Sequence, residues 1–177
     1  MQVRRIVTGH DERGKSVFLS DGPAPRAKNF QDMPGYGIAQ LWATQPDSYT
    51  GSDPTLAGGS LVPGPGGTSM LFVSFPPDTV MAAPTDPQRA LEELIEHLPG
   101  LIDLFEVDDP GMHRSPAIDY GLLLEGELWL ELDDGEQRLL LPGDVVIQQS
   151  TRHAWRNRSQ SVAKAVFFMV GVGATAR

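Results

Sequence analysis

The sequence predicts an all-β barrel of short antiparallel strands, with an N-terminal β extension and one inserted helix. Three observations carry this. From residue 112 onward, short apolar runs alternate with turn residues at close, regular spacing, as in a sandwich or barrel. Within that half, Leu128, Leu130 and Leu132 alternate with Glu127, Trp129 and Glu131, the signature of a strand with one buried face. Convincing helical periodicity occurs once, where Leu91, Leu94, Ile95 and Leu98 recur at three- and four-residue spacing with Glu92, Glu93 and Glu96 opposite.

In chain order, Arg4–Thr8 and Ser16–Leu19 are β-prone runs around the turn residues Asp11 to Gly14, and predict a hairpin. Residues 21–35 are rich in Gly, Pro, Asn and Asp and read as irregular. Gly37–Thr44 is the next strand. Residues 45–67 carry ten Gly and Pro and form a long loop, a length that goes with function, mobility or an arm to a neighbouring subunit. Thr68–Phe75 is a strand stopped by Pro76 and Pro77. The helix opens with Thr85-Asp86-Pro87-Gln88, with Thr85 as the capping residue, and ends at Pro99-Gly100. Leu101–Phe105 is a further helical turn or a strand. The strands that follow are Ile118–Glu125, Glu127–Leu132, Arg138–Leu141, Val145–Gln148, Ala154–Asn157 and Ala163–Val170. Gly126 and Asp133–Glu136 are tight turns.

The 177 residues fit one domain, 1–177. Residues 1–65 hold the N-terminal strands and the long loop. Residues 66–172 form the barrel, with a helical insertion about 85–105 that reads as an insertion or a lid. No apolar stretch reaches membrane-spanning length, and the N-terminus has no apolar run of the secretory kind. The chain has no cysteine, which removes disulfides, thiolate metal sites and cysteine nucleophiles and fits a cytoplasmic protein. A formal charge of -9 opposes nucleic acid and anionic membrane as partners. Arg114, Arg152, Arg156 and Arg158 make a basic mouth on this acidic protein, or four solvated arginines.

The C-terminal half resembles the cupin superfamily. Asp119, six residues and then Gly126 match the end of the first cupin motif, with His113 in the place of its first histidine and Ser115 in the place of its second. Gly143-Asp144 followed by His153 and, four residues on, Asn157 match the second motif, one residue short before the histidine. The resemblance covers about residues 66–172. It implies a double-stranded β-helix, the jelly-roll barrel, with a metal or ligand site inside, and pairing into a homodimer. Ser115 leaves one of the usual four metal ligands missing.

Inside a closed barrel alternate residues face inward, so Asp119, Gly121 and Leu123 share one face, and Gly121 leaves room beside the carboxylate. His113, Asp119 and His153 are the candidate metal ligands: two imidazoles and a carboxylate make a three-ligand site suited to a divalent Fe, Zn, Mn or Ni ion. Arg114 and Arg152 are the candidates to hold a substrate carboxylate. His10 and His97 read as exposed and helix-closing, Asn157 as a turn former, and Tyr120 as outward-facing.

Two functions follow. One is a metal-dependent enzyme acting on a small oxygenated, carboxylate-bearing molecule by decarboxylation, dehydration or tautomerisation, or by dioxygen-dependent cleavage. The other is a binding module for an apolar small molecule, with Leu123, Leu128, Leu130, Val146, Phe167 and Met169 lining a pocket or filling a core. A homodimer is expected, with Arg4 to Leu19 able to extend a neighbour's sheet edge.

Overall fold

Residues 2–46 and 52–173 are described in the computed structural model; residues 47–51, inside the expected loop 45–67, lie outside them. β1 (Arg4–His10) and β2 (Ser16–Pro23) form an antiparallel ribbon. Its turn is organised by Asp11, whose Oδ1 accepts from the backbone N–H groups of Arg13 and Lys15, the local bonding that favours aspartate in turns. β3 (Arg26–Asn29), β4 (Gly37–Thr44) and β5 (Thr68–Phe75) precede two helices, α1 (Asp78–Ala82) and α2 (Pro87–His97). β6 (Ala117–Glu125), β7 (Leu128–Glu131), β8 (Gln137–Leu140), β9 (Val145–Gln149), β10 (Ala154–Arg156) and β11 (Ala163–Gly171) follow.

Two sheets make the barrel. One runs β3-β4-β5-β11-β6-β9 and the other β10-β7-β8, every pairing antiparallel. The architecture is the all-β double-stranded β-helix that the resemblance implied. Alternation sets the core: Leu123 on β6, Phe167 and Met169 on β11, and Leu71 and Val73 on β5 point inward and are buried. Leu128 of β7, fully buried, and Trp155 of β10 close the core from the smaller sheet, with the Trp155 and Phe167 rings 5.2 Å apart. Leu123, Leu128, Phe167 and Met169 therefore belong to the buried core.

Several expectations are corrected. The stretch 21–35 contains β3, and β3 and β4 belong to the larger sheet, so the barrel begins before residue 66. The α2 cap is Asp86, whose side chain accepts from the Arg89 N–H; Thr85 instead donates to Asp32. Asp32 is buried and receives two bonds from Arg89, at 2.6 and 2.7 Å, which dock α2 against the segment before β4. Only part of the α2 stripe is buried: Ala90 and Leu98 join the core, while Leu91 and Ile95 are exposed. Leu101–Phe105 takes the first of its two expected forms, with a 3-10 turn at Ile102–Leu104. Gly126 links β6 to β7 at φ +77, with Ala163 so close that a Cβ would lie 2.8 Å from its Cα, so both backbone conformation and space require glycine. Among the described residues no helix is long and apolar enough to cross a membrane.

Leu128→Ala tests how far the two sheets depend on one another. It is expected to lower the unfolding free energy by about 2–5 kcal/mol, because a fully buried leucine leaves a cavity. Urea denaturation measures this; a loss under about 1 kcal/mol would mean the sheets do not pack through it.

Candidate functional site

The site is built on a backbone pair. His113 and His153 stand opposite one another as an isolated antiparallel bridge, each N–H donating to the other's carbonyl at 2.9 Å. In a pair that exchanges both bonds the side chains leave on the same side. The two imidazole rings accordingly face each other, centroids 4.2 Å apart, with Phe105 beside His113 at 4.7 Å and Trp155 edge-on to His153 at 5.7 Å.

Each ring is oriented by its own backbone. His113 Nδ1 lies 3.1 Å from Gly111 O, and His153 Nδ1 lies 2.9 Å from Thr151 O. A carbonyl only accepts, so both Nδ1 atoms carry the proton and both Nε2 atoms present a lone pair. Burial pushes both imidazoles below their ordinary range, and for His153 the neighbouring His113 adds to it, bringing its pKa to about 4. Both rings are neutral at pH 7.

Asp119 comes from β6, two residues into the strand and on its inner face. It is opposite Gln148 on β9 and Met169 on β11. Burial raises its carboxyl to about 6; the Ser115 hydroxyl, which donates to both carboxylate oxygens at 3.1 and 3.3 Å, opposes the rise. His113, Ser115, Asp119, Gln148 and His153 line one cavity of about 60 Å³, with Leu71, Leu101, Trp155, Phe167 and Met169 as its apolar wall. Leu101, just past α2, is the part of the helical insertion that reaches it.

The structure thus places His113, Asp119 and His153 around one cavity. It does not make them a three-ligand metal centre: among the described residues no group of three His, Asp or Glu side chains is close enough to hold an ion. The Asp119 carboxylate accepts from the Ser115 hydroxyl. The two bare Nε2 atoms suit a metal; the set as a whole does not fit one.

The arginines do not form a basic mouth. Arg152 is held by Glu106 through two bonds of 2.6 and 2.7 Å, by Asp109 at 2.8 Å and by Asp133 at 3.0 Å. Arg156 pairs with Glu131, and Arg158 lies over the Trp129 ring. Arg114 alternates with the inward His113 and Ser115, and is exposed. Neither Arg114 nor Arg152 lines the cavity. Gly121 leaves no room for a ligand either, since a Cβ there would meet Phe167 at 3.1 Å. Asn157 is a turn former, its Oδ1 accepting from Ser159 and its Nδ2 donating to Phe75 O and Ser161 O. His10 and Tyr120 are exposed, and His97 is partly so.

Sequence reasoning missed Gln148. It is 3% exposed, and its Nε2 is the one buried side-chain polar atom, among the described residues, without a hydrogen-bond partner. An unsatisfied buried donor costs about 1–3 kcal/mol. The available signal was parity, because Gln148 faces the same side as its register partner Asp119.

An antiparallel double-stranded β-helix with histidines from both motif regions turned into its interior defines a cupin-type barrel. No protein-family model matches the chain. Phomopsin biosynthesis cluster protein D of Diaporthe leptostromiformis is 32% identical over 166 residues, 93% of this chain and 76% of that protein. A cupin-domain-containing oxidoreductase of Aspergillus ruber is 29% identical over 161 residues, 88% of this chain and 64% of that protein. Among solved structures, an RmlC-like cupin family protein of Methanocaldococcus jannaschii with a double-stranded beta-helix fold has a TM-score of 0.38 at 11% identity, over 59% of this chain and 70% of that one. The chain belongs to the cupin superfamily.

The buried carboxyl ties stability to pH. A folded-state pKa of about 6 against an ordinary 3.8 means that the folded protein holds the proton more tightly, so stability falls as pH rises through this window. His153 acts in the opposite sense between about pH 4 and 6.5, and His113, also lowered, acts in the same direction as His153. Comparison with Asp119→Asn isolates the carboxyl. The variant is expected to gain on the wild type by roughly 3 kcal/mol between pH 3.5 and pH 7, read from urea melts across that range. A difference independent of pH would show that Asp119 is not a desolvated acid.

Proposed function

We propose that this cupin is an enzyme that moves a proton on a small oxygenated molecule, in a tautomerisation, dehydration or decarboxylation. The observation that carries the reading is the Asp119 carboxyl, buried and raised to about 6, beside two neutral imidazoles with bare Nε2 atoms in one small cavity. A carboxyl titrating near 6 is suited to both giving and taking a proton at neutral pH. Above that pH the carboxylate, already accepting from Ser115, takes a proton from an acidified C–H or O–H. His113 and His153 are weak bases here, so each orients a substrate hydroxyl that donates to its Nε2. The apolar wall excludes water from the transfer. The names of relatives from fungal biosynthesis clusters, for phomopsin and for oryzines, support a small-molecule substrate.

Three further points belong to this reading. A substrate carboxylate gains no support, because the cavity wall holds no arginine or lysine. A metal-dependent version is favoured by the two bare Nε2 atoms, and needs Asp119 to be drawn closer to the two rings. An oxidative version rests on the names of relatives such as the Aspergillus ruber protein.

Proton exchange tests the proposal directly. Cyclic ketones, β-dicarbonyl compounds and hydroxylated aromatics are incubated with the protein in D₂O, and loss of their C–H signals is followed by NMR. Exchange is expected to rise through about pH 6 and to fall by 10²–10⁴-fold in Asp119→Asn. No exchange on any compound would sink it. Metal content by mass spectrometry on untagged protein, beside His153→Ala, and dioxygen uptake in the same assay decide the two other versions.

We also propose a homodimer formed through the outer face of the larger sheet. There Val145, Ile147, Tyr120 and Phe168 stand side by side in register and are exposed, with Val145 at 62%. Light scattering after size exclusion is expected to give twice the monomer mass; the mass of a single chain would overturn this.

A further inference from the structure

Gln148 has no structural task at its inner end. β9 turns Val145 and Ile147 outward, at 62% and 50% exposure, and Gln148 inward to 3%. Its Oε1 accepts from the Thr151 hydroxyl at 2.9 Å, and its NH₂ is directed away from Thr151. That NH₂ group meets no acceptor, although it belongs to a side chain lining the cavity of Asp119 and the two histidines. Leucine or methionine would fill the position without burying an unmatched donor.

The inventory of the cavity sharpens this. Asp119, above its pKa, and the two Nε2 atoms are acceptors. The Ser115 hydroxyl is committed to Asp119. Gln148 Nε2 is therefore the buried side-chain donor left without a partner, among the described residues, and it is neutral. A carboxylate ligand would need a cation or several donors here. A ketone or enolate oxygen needs one good donor, and the surrounding Leu71, Trp155, Phe167 and Met169 suit an otherwise apolar ligand.

We propose that Gln148 is the recognition group of the cavity: its Nε2 donates to the carbonyl or enolate oxygen of an uncharged, largely apolar carbonyl compound, whose acidic C–H or O–H faces Asp119 and the histidines. This rests on the reading that the cavity is the site of proton transfer, and it names the substrate class. Donation to the oxygen withdraws charge from the neighbouring carbon and stabilises the enolate that forms as Asp119 accepts the proton. The proton passes from that carbon to the carboxylate and is returned on reprotonation, so atoms and charge balance without a further reactant. Thr151 is a positioning residue, acting through the orientation of the amide.

Cyclohexanone and methylenecyclohexane, which differ by C=O against C=CH₂, are the probes, titrated against the full chain by protein-observed NMR. The wild type is expected to prefer the ketone. Gln148→Met, which removes the donor and keeps the length, is expected to lose about ten-fold or more in ketone affinity while its urea midpoint does not fall. Thr151→Val, which frees the amide to turn, is expected to lose less, and serves should Gln148→Met fold poorly. An unchanged ketone preference in both variants overturns the inference, as does failure of the wild type to bind the ketone better than the alkene. Ketone binding that depends on Gln148 without α-proton exchange that depends on Asp119 leaves this inference standing and removes the acid–base reading. Exchange that depends on Asp119 but not on Gln148 does the reverse.

Discussion

Two backbone hydrogen bonds between His113 and His153 hold the site together. The two residues are far apart in sequence and belong to no regular strand pair, yet each donates to the other at 2.9 Å. The bridge sets the distance between the imidazoles, and the Gly111 and Thr151 carbonyls then set which nitrogen of each ring is bare. It also joins the segment leading into β6 to the segment leading into β10, so the two sheets meet at the cavity. Both rings are thus oriented by main chain, and their Nε2 atoms are left unpaired.

A polar cluster inside an apolar barrel is unfavourable unless each group finds a partner. The protein solves this in part. Asp119 has Ser115, each histidine has a carbonyl, and Gln148 has Thr151 at one end only. What remains unmatched is two imidazole lone pairs and one N–H donor, beside a carboxyl held near 6. Those are the groups a reacting molecule would need to meet. The core around them is built for rigidity: Leu128 and Leu123 are buried on opposite sheets, and Trp155 packs on Phe167.

The barrel and its inward carboxylate were legible because both depend on local signals, and His113 and His153 were found through the resemblance. Alternation through Leu128–Leu132 gave a strand, and the parity of Asp119 within β6 gave an inward carboxylate. What was not legible depends on partners distant in the chain. Arg152 reads as an open cation until Glu106, Asp109 and Asp133, 46, 43 and 19 residues away, close on it. The room expected beside Gly121 belongs to Phe167 of β11. Gln148 was hidden by the outer face of the sheet. Val145 and Ile147 are apolar and exposed, so hydrophobic alternation in β9 points to the wrong side.

The arrangement of charge bears on the substrate. The arginines of the 152–158 segment are drawn outward into pairs with carboxylates or onto an aromatic ring, and none lines the cavity. The interior then contains one titratable acid and no fixed charge. Were a cation beside Asp119, its carboxyl would fall toward or below the ordinary range and lose its capacity to return a proton near neutrality. Were a substrate carboxylate beside it, like-charge repulsion would push the acid further up and keep it protonated when it should accept. An uncharged substrate avoids both. The pairing of Arg152 with Glu106, Asp109 and Asp133 keeps its charge outside the cavity wall, which agrees with the uncharged substrate proposed above.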